Sequence, residues 1–409
     1  MKLAHCLLPL FLLLLFAGGC KKSIDAPASS EFVRIFPSDS SYYTGGAFQL
    51  PDGNFVIYGF PPENNELPPL VIKCDLRGNV LWKKRLPSGF HYCNIKVCKA
   101  KTMMAVGVAS SISSIINVCE INDSTGEVME GTLREYPVGN VRSGPLNPPE
   151  FVMNSTGDLV LIAGSINLDN SLFPFALSID AAGMQHLVNL DLSGVTALMT
   201  RGLSSDSEGF TISGSTYKTD ASDTSHLVTF CLRLNTDFEK EWDTILSFPE
   251  GSLTSKGITE TASSIIIYGS KNTGTYNNST IGDMPGTLYT QQIDKSGKPG
   301  DLKTYSEYEN LAHAGELIKT SDGFIMSATT NELLDLYLVS SNRMYLLKLD
   351  DSLNYQWHRE FNGFFAFTAV SVFETQDGGY LIGGYEHSGT FFYSMCMIKT
   401  DAYGNIVLE

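Results

Sequence analysis

Short apolar runs separated by turn-forming residues fill most of the chain, and the pattern recurs. The clearest copy is the last. There Thr375-Gln376-Asp377-Gly378-Gly379-Tyr380-Leu381-Ile382-Gly383-Gly384 leads to Met397-Ile398-Lys399-Thr400-Asp401 and then to Gly404-Asn405. The first copy runs Asp52-Gly53-Asn54-Phe55-Val56-Ile57-Tyr58-Gly59, then Val71-Ile72-Lys73-Cys74-Asp75, then Gly78-Asn79. Five more strands ending at a small residue lie between them: Met103–Gly107, Leu159–Gly164, Phe210–Gly214, Ile265–Gly269 and Phe324–Ala328.

A second landmark is an Asp or Asn closing an apolar strand, at Asp75, Asn122, Asp180, Asn235, Asp294, Asp350 and Asp401. Neighbouring landmarks lie 47 to 59 residues apart, a period in the range of propeller blades. Gly78, Gly126, Gly183, Gly297 and Gly404 follow five of them, as turn chemistry requires. All three Trp, at 82, 242 and 357, fall seven residues past a landmark.

Each copy reads as four strands. In the last these are Ala369–Thr375, Tyr380–Tyr385, Phe392–Lys399 and Asn405–Leu408, with Asp377-Gly378-Gly379 as a hairpin turn. No mature segment holds a strong helical period. A four-stranded unit cannot cover both its faces alone, so copies must stack, and a ring removes long exposed edges. The expectation is an all-β chain, a single β-propeller of about seven four-stranded blades, with six or eight as neighbouring counts. Phe32–Phe36 resembles the strand after the turn in other copies, such as Leu81–Leu86 and Gln356–Phe361. It is expected to complete the last blade and close the ring.

Composition narrows the partners. The chain has 409 residues, 44 Asp and Glu against 28 Lys and Arg, and a net charge of -16. That balance excludes a nucleic-acid partner, which needs a basic face, and binding driven by anionic headgroups.

The first twenty residues read as an export signal: Lys2, an apolar run from Leu7 to Phe16, then Ala17, Gly18, Gly19 and Cys20. The run is short for a membrane span, which needs about 20 residues. Cys20 after small residues resembles the lipobox of bacterial lipoproteins. The resemblance implies cleavage before Cys20 and lipidation of Cys20. It gives a signal over 1–19, a lipidated Cys and tether over 20–30, and a propeller domain over 31–409. Lys21-Lys22-Ser23 and the DGGY, IKTD and GN pattern resemble lipoprotein propeller repeats of Bacteroidota. This implies an outer-membrane lipoprotein facing the periplasm or the cell surface, and names no reaction.

Chemistry-bearing motifs are sparse. Cys74, Cys119, Cys231 and Cys396 occupy third strands and read as small buried hydrophobes. Cys93 and Cys98, five apart on one strand, should face opposite ways; a Cys98–Cys119 link stays open. No Cys or His spacing suits zinc, and no nucleophile elbow, Walker loop or dinucleotide fingerprint occurs. No catalytic residue, metal site or cofactor is therefore assigned. His313 with Glu316 is a conceivable channel-lining pair. Asp169, Asp220 and Asp223 read as solvated turns rather than calcium ligands. Asp52, Asn54, Val56 and Tyr58 resemble part of the bulb-type lectin mannose motif, which would make them sugar contacts; the same residues form the hairpin of the repeat. Ser165–Ser171, Ser215–Ser225 and Asn272–Gly286 are candidate contact loops. The reading is a lipid-anchored envelope protein with a non-catalytic binding or scaffold role, its partner a glycan or envelope protein. A lectin-like protein is the alternative, and a glycan hydrolase or lyase with acids at the axis is a further one.

Overall fold

The computed structural model describes residues 31–38, 40–62, 67–110, 112–142, 148–153, 160–168, 171–180, 182–183, 185–190, 198–219, 225–248, 251–272, 286–305, 312–332, 341–361, 366–387 and 392–406. Among the described residues there are 28 strands and no helix. The first strand, β1 (Phe32–Phe36), belongs to the last sheet rather than the first.

Five sheets have four strands and one has eight. The first sheet holds β2 (Tyr43–Gln49), β3 (Phe55–Phe60), β4 (Leu70–Cys74) and β5 (Val80–Arg85). The eight-stranded sheet holds β6 (Tyr92–Lys99), β7 (Thr102–Val108), β8 (Ile112–Asn122), β9 (Arg134–Arg142), β10 (Glu150–Met153), β11 (Val160–Leu168), β12 (Ser171–Ile179) and β13 (Gln185–Asn189). Then come β14 (Leu198–Ser205), β15 (Gly209–Thr219), β16 (Ser225–Asn235) and β17 (Lys240–Leu246). Next are β18 (Ser252–Glu260), β19 (Ser264–Asn272), β20 (Thr287–Asp294) and β21 (Pro299–Tyr305). They are followed by β22 (Ala312–Thr320), β23 (Gly323–Glu332), β24 (Ser341–Leu349) and β25 (Tyr355–Phe361). The last sheet joins β26 (Ala366–Glu374), β27 (Tyr380–His387) and β28 (Tyr393–Lys399) to β1.

The propeller is therefore as expected in class, and among the described residues its hydrogen-bonded sheets number six, the lower of the expected counts. The reason is local. Strand β9 runs on to Arg142, where Val141 and Arg142 pair with Ile166 and Ser165 of β11. That short bridge welds the second and third sequence copies, β6–β9 and β10–β13, into one sheet.

Strand β2 packs on β26, β27 and β28, so the last sheet meets the first and the ring is closed. Closure runs through β1, which pairs antiparallel with β28 from Phe32↔Lys399 to Phe36↔Met395. Of the expected strand at Asn405–Leu408, Asn405 and Ile406 are in no strand, and 407–408 lie outside the described residues. Strand β1 takes that place, and Phe32 and Phe36 are buried with Phe55, Ile72, Leu381 and Met397. Two expected contact loops are partly strand, since Ser165–Leu168 continues β11 and Ser215–Thr219 continues β15. The rest of them, like Asp169, Asp220 and Asp223, lies outside the described residues apart from the flanking Ser171, Ser225, Asn272 and Gly286.

The repeat landmarks have physical causes. Asp75, Asn235, Asp294, Asp350 and Asp401 each accept backbone N–H groups two and four residues on through Oδ1. These turns need a left-handed residue, supplied by Gly78, Gly297 and Gly404 and, where no Gly stands, by Phe238 (φ 65) and Leu353 (φ 61). The Trp register is an inter-blade peg. Trp82, Trp242 and Trp357 lie against Gly126, Gly297 and Gly404 of the next copy, and Trp82 and Trp242 donate to Asp123 O and Lys295 O, both at 3.0 Å.

Candidate functional site

The innermost strands β2, β6, β10, β14, β18, β22 and β26 surround an axial cavity of about 1040 Å³. Its charged wall is built by an irregularity repeated around the ring. Where β2, β14, β18, β22 and β26 pair with their second strands, the register slips between Thr44 and Gly46, Thr200 and Gly202, Ser255 and Gly257, Ala314 and Leu317, and Ala369 and Ser371. Such β-bulges leave a residue out of the ladder and re-aim its side chain. The residues so displaced are Gly45, Arg201, Lys256, Gly315 with Glu316, and Val370, and all of them line the cavity. Lys96 of β6 and Glu150 of β10 complete the belt.

In three of the bulged blades the landmark glycine of the second strand stands close to a carbonyl oxygen of the innermost strand. A Cβ on Gly59, Gly269 or Gly384 would collide with the carbonyl oxygen of Tyr43, Thr254 or Thr368. The residue after that small position then stitches neighbouring blades. Ser215, Ser270 and Thr329 accept the backbone N–H of Ser255 (2.9 Å), Ala314 (3.4 Å) and Ala369 (2.8 Å) in the next innermost strand. Ser371 Oγ accepts Ala47 N–H at 2.9 Å across the closing seam.

Polar groups from the second strands reach the cavity through gaps left by glycine. Tyr58 lies over Gly46 and Tyr268 over Gly257, and both tyrosines line the wall. The Tyr58 hydroxyl donates to Asn94 Oδ1 at 2.9 Å, and Asn94 Nδ2 donates to Pro149 O at 3.1 Å. Lys96 Nζ donates to Phe151 O at 2.7 Å and stands 3.9 Å from Glu150. Burial raises the Glu150 carboxyl, against the pull of Lys96 and Asn94. Glu316 Oε2 accepts Val372 N–H at 3.1 Å. Glu316 is partly buried in the cavity wall, and burial pushes its carboxyl up to about 7, with the nearby Glu150 charge adding to the rise.

His313 and Glu316 both line the cavity, as the sequence suggested. The lectin-like residues are spread over two environments. Asp52 accepts Asn54 N–H and Nδ2 at 3.0 and 2.9 Å and pairs with Lys73 at 2.7 Å, while Val56 is buried and Tyr58 faces the axis. Hydrogen bonds from Lys73 and Asn54 outweigh burial and hold the Asp52 carboxyl low. The same hairpin-acid pair recurs as Asp206–Arg233, Asp322–Lys348 and Asp377–Lys399, with the cation buried each time. All six cysteines described are free thiols, so Cys98 and Cys119 are not linked. Cys20 lies outside the described residues.

Lys96, Glu150, Arg201 and Lys256 were missed from sequence. The signal for two of them was present. Thr44-Gly45-Gly46, Thr200-Arg201-Gly202 and Ser255-Lys256-Gly257 share one hydroxyl-x-Gly frame, whose middle residue is the bulge that faces the axis.

No protein-family model and no curated protein matches the sequence. Solved structures share the fold at low identity. The extracellular domains 1-2 of Drosophila Semaphorin 1a align with a TM-score of 0.53 and 7% identity, covering 90% of this chain and 88% of that one. The phage phi92 endosialidase aligns with a TM-score of 0.46 and 11% identity, covering 93% of this chain and 70% of that one. At such identities the likeness to the semaphorin domains speaks for the propeller fold alone.

Proposed function

We propose that this chain is a lipid-anchored envelope propeller that binds a polar ligand in its axial cavity without transforming it. The observation that carries the reading is the cavity wall. The axis gathers Lys96, Glu150, Arg201, Lys256 and Glu316 from five innermost strands around one cavity. Burying charge is unfavourable unless partners are supplied, so a belt of charge facing an open cavity serves recognition better than stability. The lipobox-like segment ending at Cys20 supports the anchor, with a tether of residues 21–30 before the first strand.

The test is a glycan-array screen of residues 21–409, produced soluble without Cys20, beside a Val370→Trp variant that fills the axis. Binding that disappears in the variant, with its β-rich circular dichroism unchanged, supports the cavity. Binding unaffected by Val370→Trp overturns the axial site. Silence across a broad array turns the search to a protein partner and crosslinking in cells.

One observation favours a hydrolytic reading as the second. Glu150 and Glu316 share the cavity, and burial raises both carboxyls. Glycan hydrolysis needs such an acid beside a second carboxylate. Hydrolysis of a bound glycan that stops in Glu316→Gln would replace binding by catalysis.

A further inference from the structure

Resting on the axial-cavity reading, we infer that the ligand is a neutral glycoside with an apolar aglycone, its sugar held at the charged belt and its aglycone by a tier of aliphatic side chains next to the belt. The belt sits at the bulges of the innermost strands. The residue two positions past the displaced one is apolar in all five bulged strands: Ala47, Leu203, Ile258, Ile318 and Val372. Each of the five lines the cavity. Each also pairs with a fully buried isoleucine of the second strand, in turn Ile57, Ile212, Ile267, Ile325 and Ile382, which fixes its height on the blade. Every innermost strand leads into its hairpin, so this second tier lies about 7 Å nearer the hairpin end than the belt.

The two tiers receive different chemistry. The belt holds both signs, and they act on one another: burial raises the Glu150 and Glu316 carboxyls, and Lys96 and Lys256 work against that rise in both. A wall whose cations and acids already serve each other gains little from an ion, but it offers donors and acceptors together. Sugar hydroxyls, each a donor and an acceptor, match that mixture. The second tier offers only hydrocarbon from these five strands. Ile258 and Ile318 are half-buried, as are Val97 and Phe373, which line the same cavity. Apolar surface facing a cavity is what an apolar group of a ligand covers favourably.

The tiers are joined at the closing seam. There the displaced residues are Gly45 and Val370, so the belt carries no charge on that side. Val370 at belt height, then Val372 and Ala47, then Phe48 and Phe373 give an apolar path from the belt towards the hairpin end. A molecule with hydroxyls at one end and an apolar group at the other meets both tiers at once, and about 1040 Å³ has room for it.

Three probes test this by calorimetry on residues 21–409, below micelle formation: methyl, butyl and hexyl β-thioglucosides, whose sulfur link keeps the alkyl chain attached even if the cavity hydrolyses glycans. The hexyl form should bind at least about tenfold more tightly than the methyl form, a difference of about 1.4 kcal/mol, with butyl between them. Ile258→Thr and Ile318→Thr should each cut the hexyl-to-methyl ratio about threefold, with the melting temperature showing that the ring is intact. Leu81→Thr, at an exposed position of β5 outside the cavity lining, should leave the ratio as it is. Val370→Trp should abolish binding of all three. If methyl and hexyl forms bind alike and both are lost in Val370→Trp, the cavity stands and the apolar tier is overturned. A ratio that survives in both isoleucine variants, or falls equally in Leu81→Thr, overturns it too. If no thioglucoside binds, this inference falls, and the glycan array with Val370→Trp decides the cavity by itself. Binding that survives Val370→Trp overturns both readings.

Discussion

Lys399 is buried in the last blade, where it donates to Thr400 O at 2.7 Å and pairs with Asp377 at 3.0 Å. Asp377 keeps about half its side-chain surface in water, so the two partners are unequal. Asp377→Ala strands a charge in the core, whereas Lys399→Met leaves an exposed carboxylate and fills the space. Asp377→Ala should therefore cost about 2 kcal/mol and Lys399→Met less than about 1 kcal/mol. Urea unfolding measures both, and equal losses would show that the pair does not hold the hairpin. The pH dependence has a definite sign. Burial raises the Asp377 carboxyl, but hydrogen bonds from Thr375 and Lys399 outweigh it and hold the carboxyl low. Its contribution is present above the unfolded value of about 3.9 and is lost as pH falls through the lower folded value. The gap between wild type and Asp377→Ala should thus close below about pH 4.

Among the elements, the bulged innermost strand governs both the repeat and the site. Gly269 stands inside β19, where Thr254 O occupies the space a Cβ would take. Gly300, on the outer strand β21, meets only Gln292 O at 3.4 Å. Gly269→Ala should destabilise by about 2–3 kcal/mol, and Gly300→Ala should stay within about 0.5 kcal/mol. Equal denaturant midpoints would remove the close carbonyl contact as the reason for the glycine landmark. The contrast also shows what a sequence can yield. Turn acids, landmark glycines and Trp pegs were legible because each acts on near neighbours in the chain or at a fixed phase of the repeat. The belt of Lys96, Glu150, Arg201, Lys256 and Glu316 was largely hidden, because blades far apart in sequence bring these residues to one axis. The weld of β9 to β11 was hidden too, since it depends on how far one strand happens to continue. In turns where Gly is absent, Phe238 and Leu353 accept a left-handed backbone while packing against neighbours: Phe238 stacks on Phe210 at 5.2 Å, and Leu353 is buried.

For the whole molecule the decisive contact joins the two ends of the ring. Sheets elsewhere pack face to face, whereas among the described residues β1 supplies a backbone ladder between the start and the end of the propeller, extended by Tyr42 N–H donating to Tyr393 O at 2.9 Å. It also touches the first sheet, since a Cβ on Gly78 would meet Arg34 Cγ and the Phe32 ring, as the Trp pegs meet the turn glycines. Removing residues 31–37 opens the ladder and exposes the apolar seam that β1 covers, including Met395 and Met397. Losing Phe32 and Phe36 alone forfeits about 2–3 kcal/mol of burial each. Spread over a chain of this size, that loss should lower the melting temperature by about 5 °C or more. Phe32→Ser with Phe36→Ser keeps the backbone and should give part of the drop, which separates side-chain burial from the ladder. Because every sheet rests on its neighbours, the transition should stay single and move as a whole rather than split off the last blade. An unchanged midpoint in the deletion would mean that packing between the first and last sheets holds the ring without the ladder. A second, early transition would mean that the closing seam opens while the remaining blades stay stacked. That opening would matter for function, because Gly45 and Val370 sit on either side of this seam and their strands form that part of the axial wall.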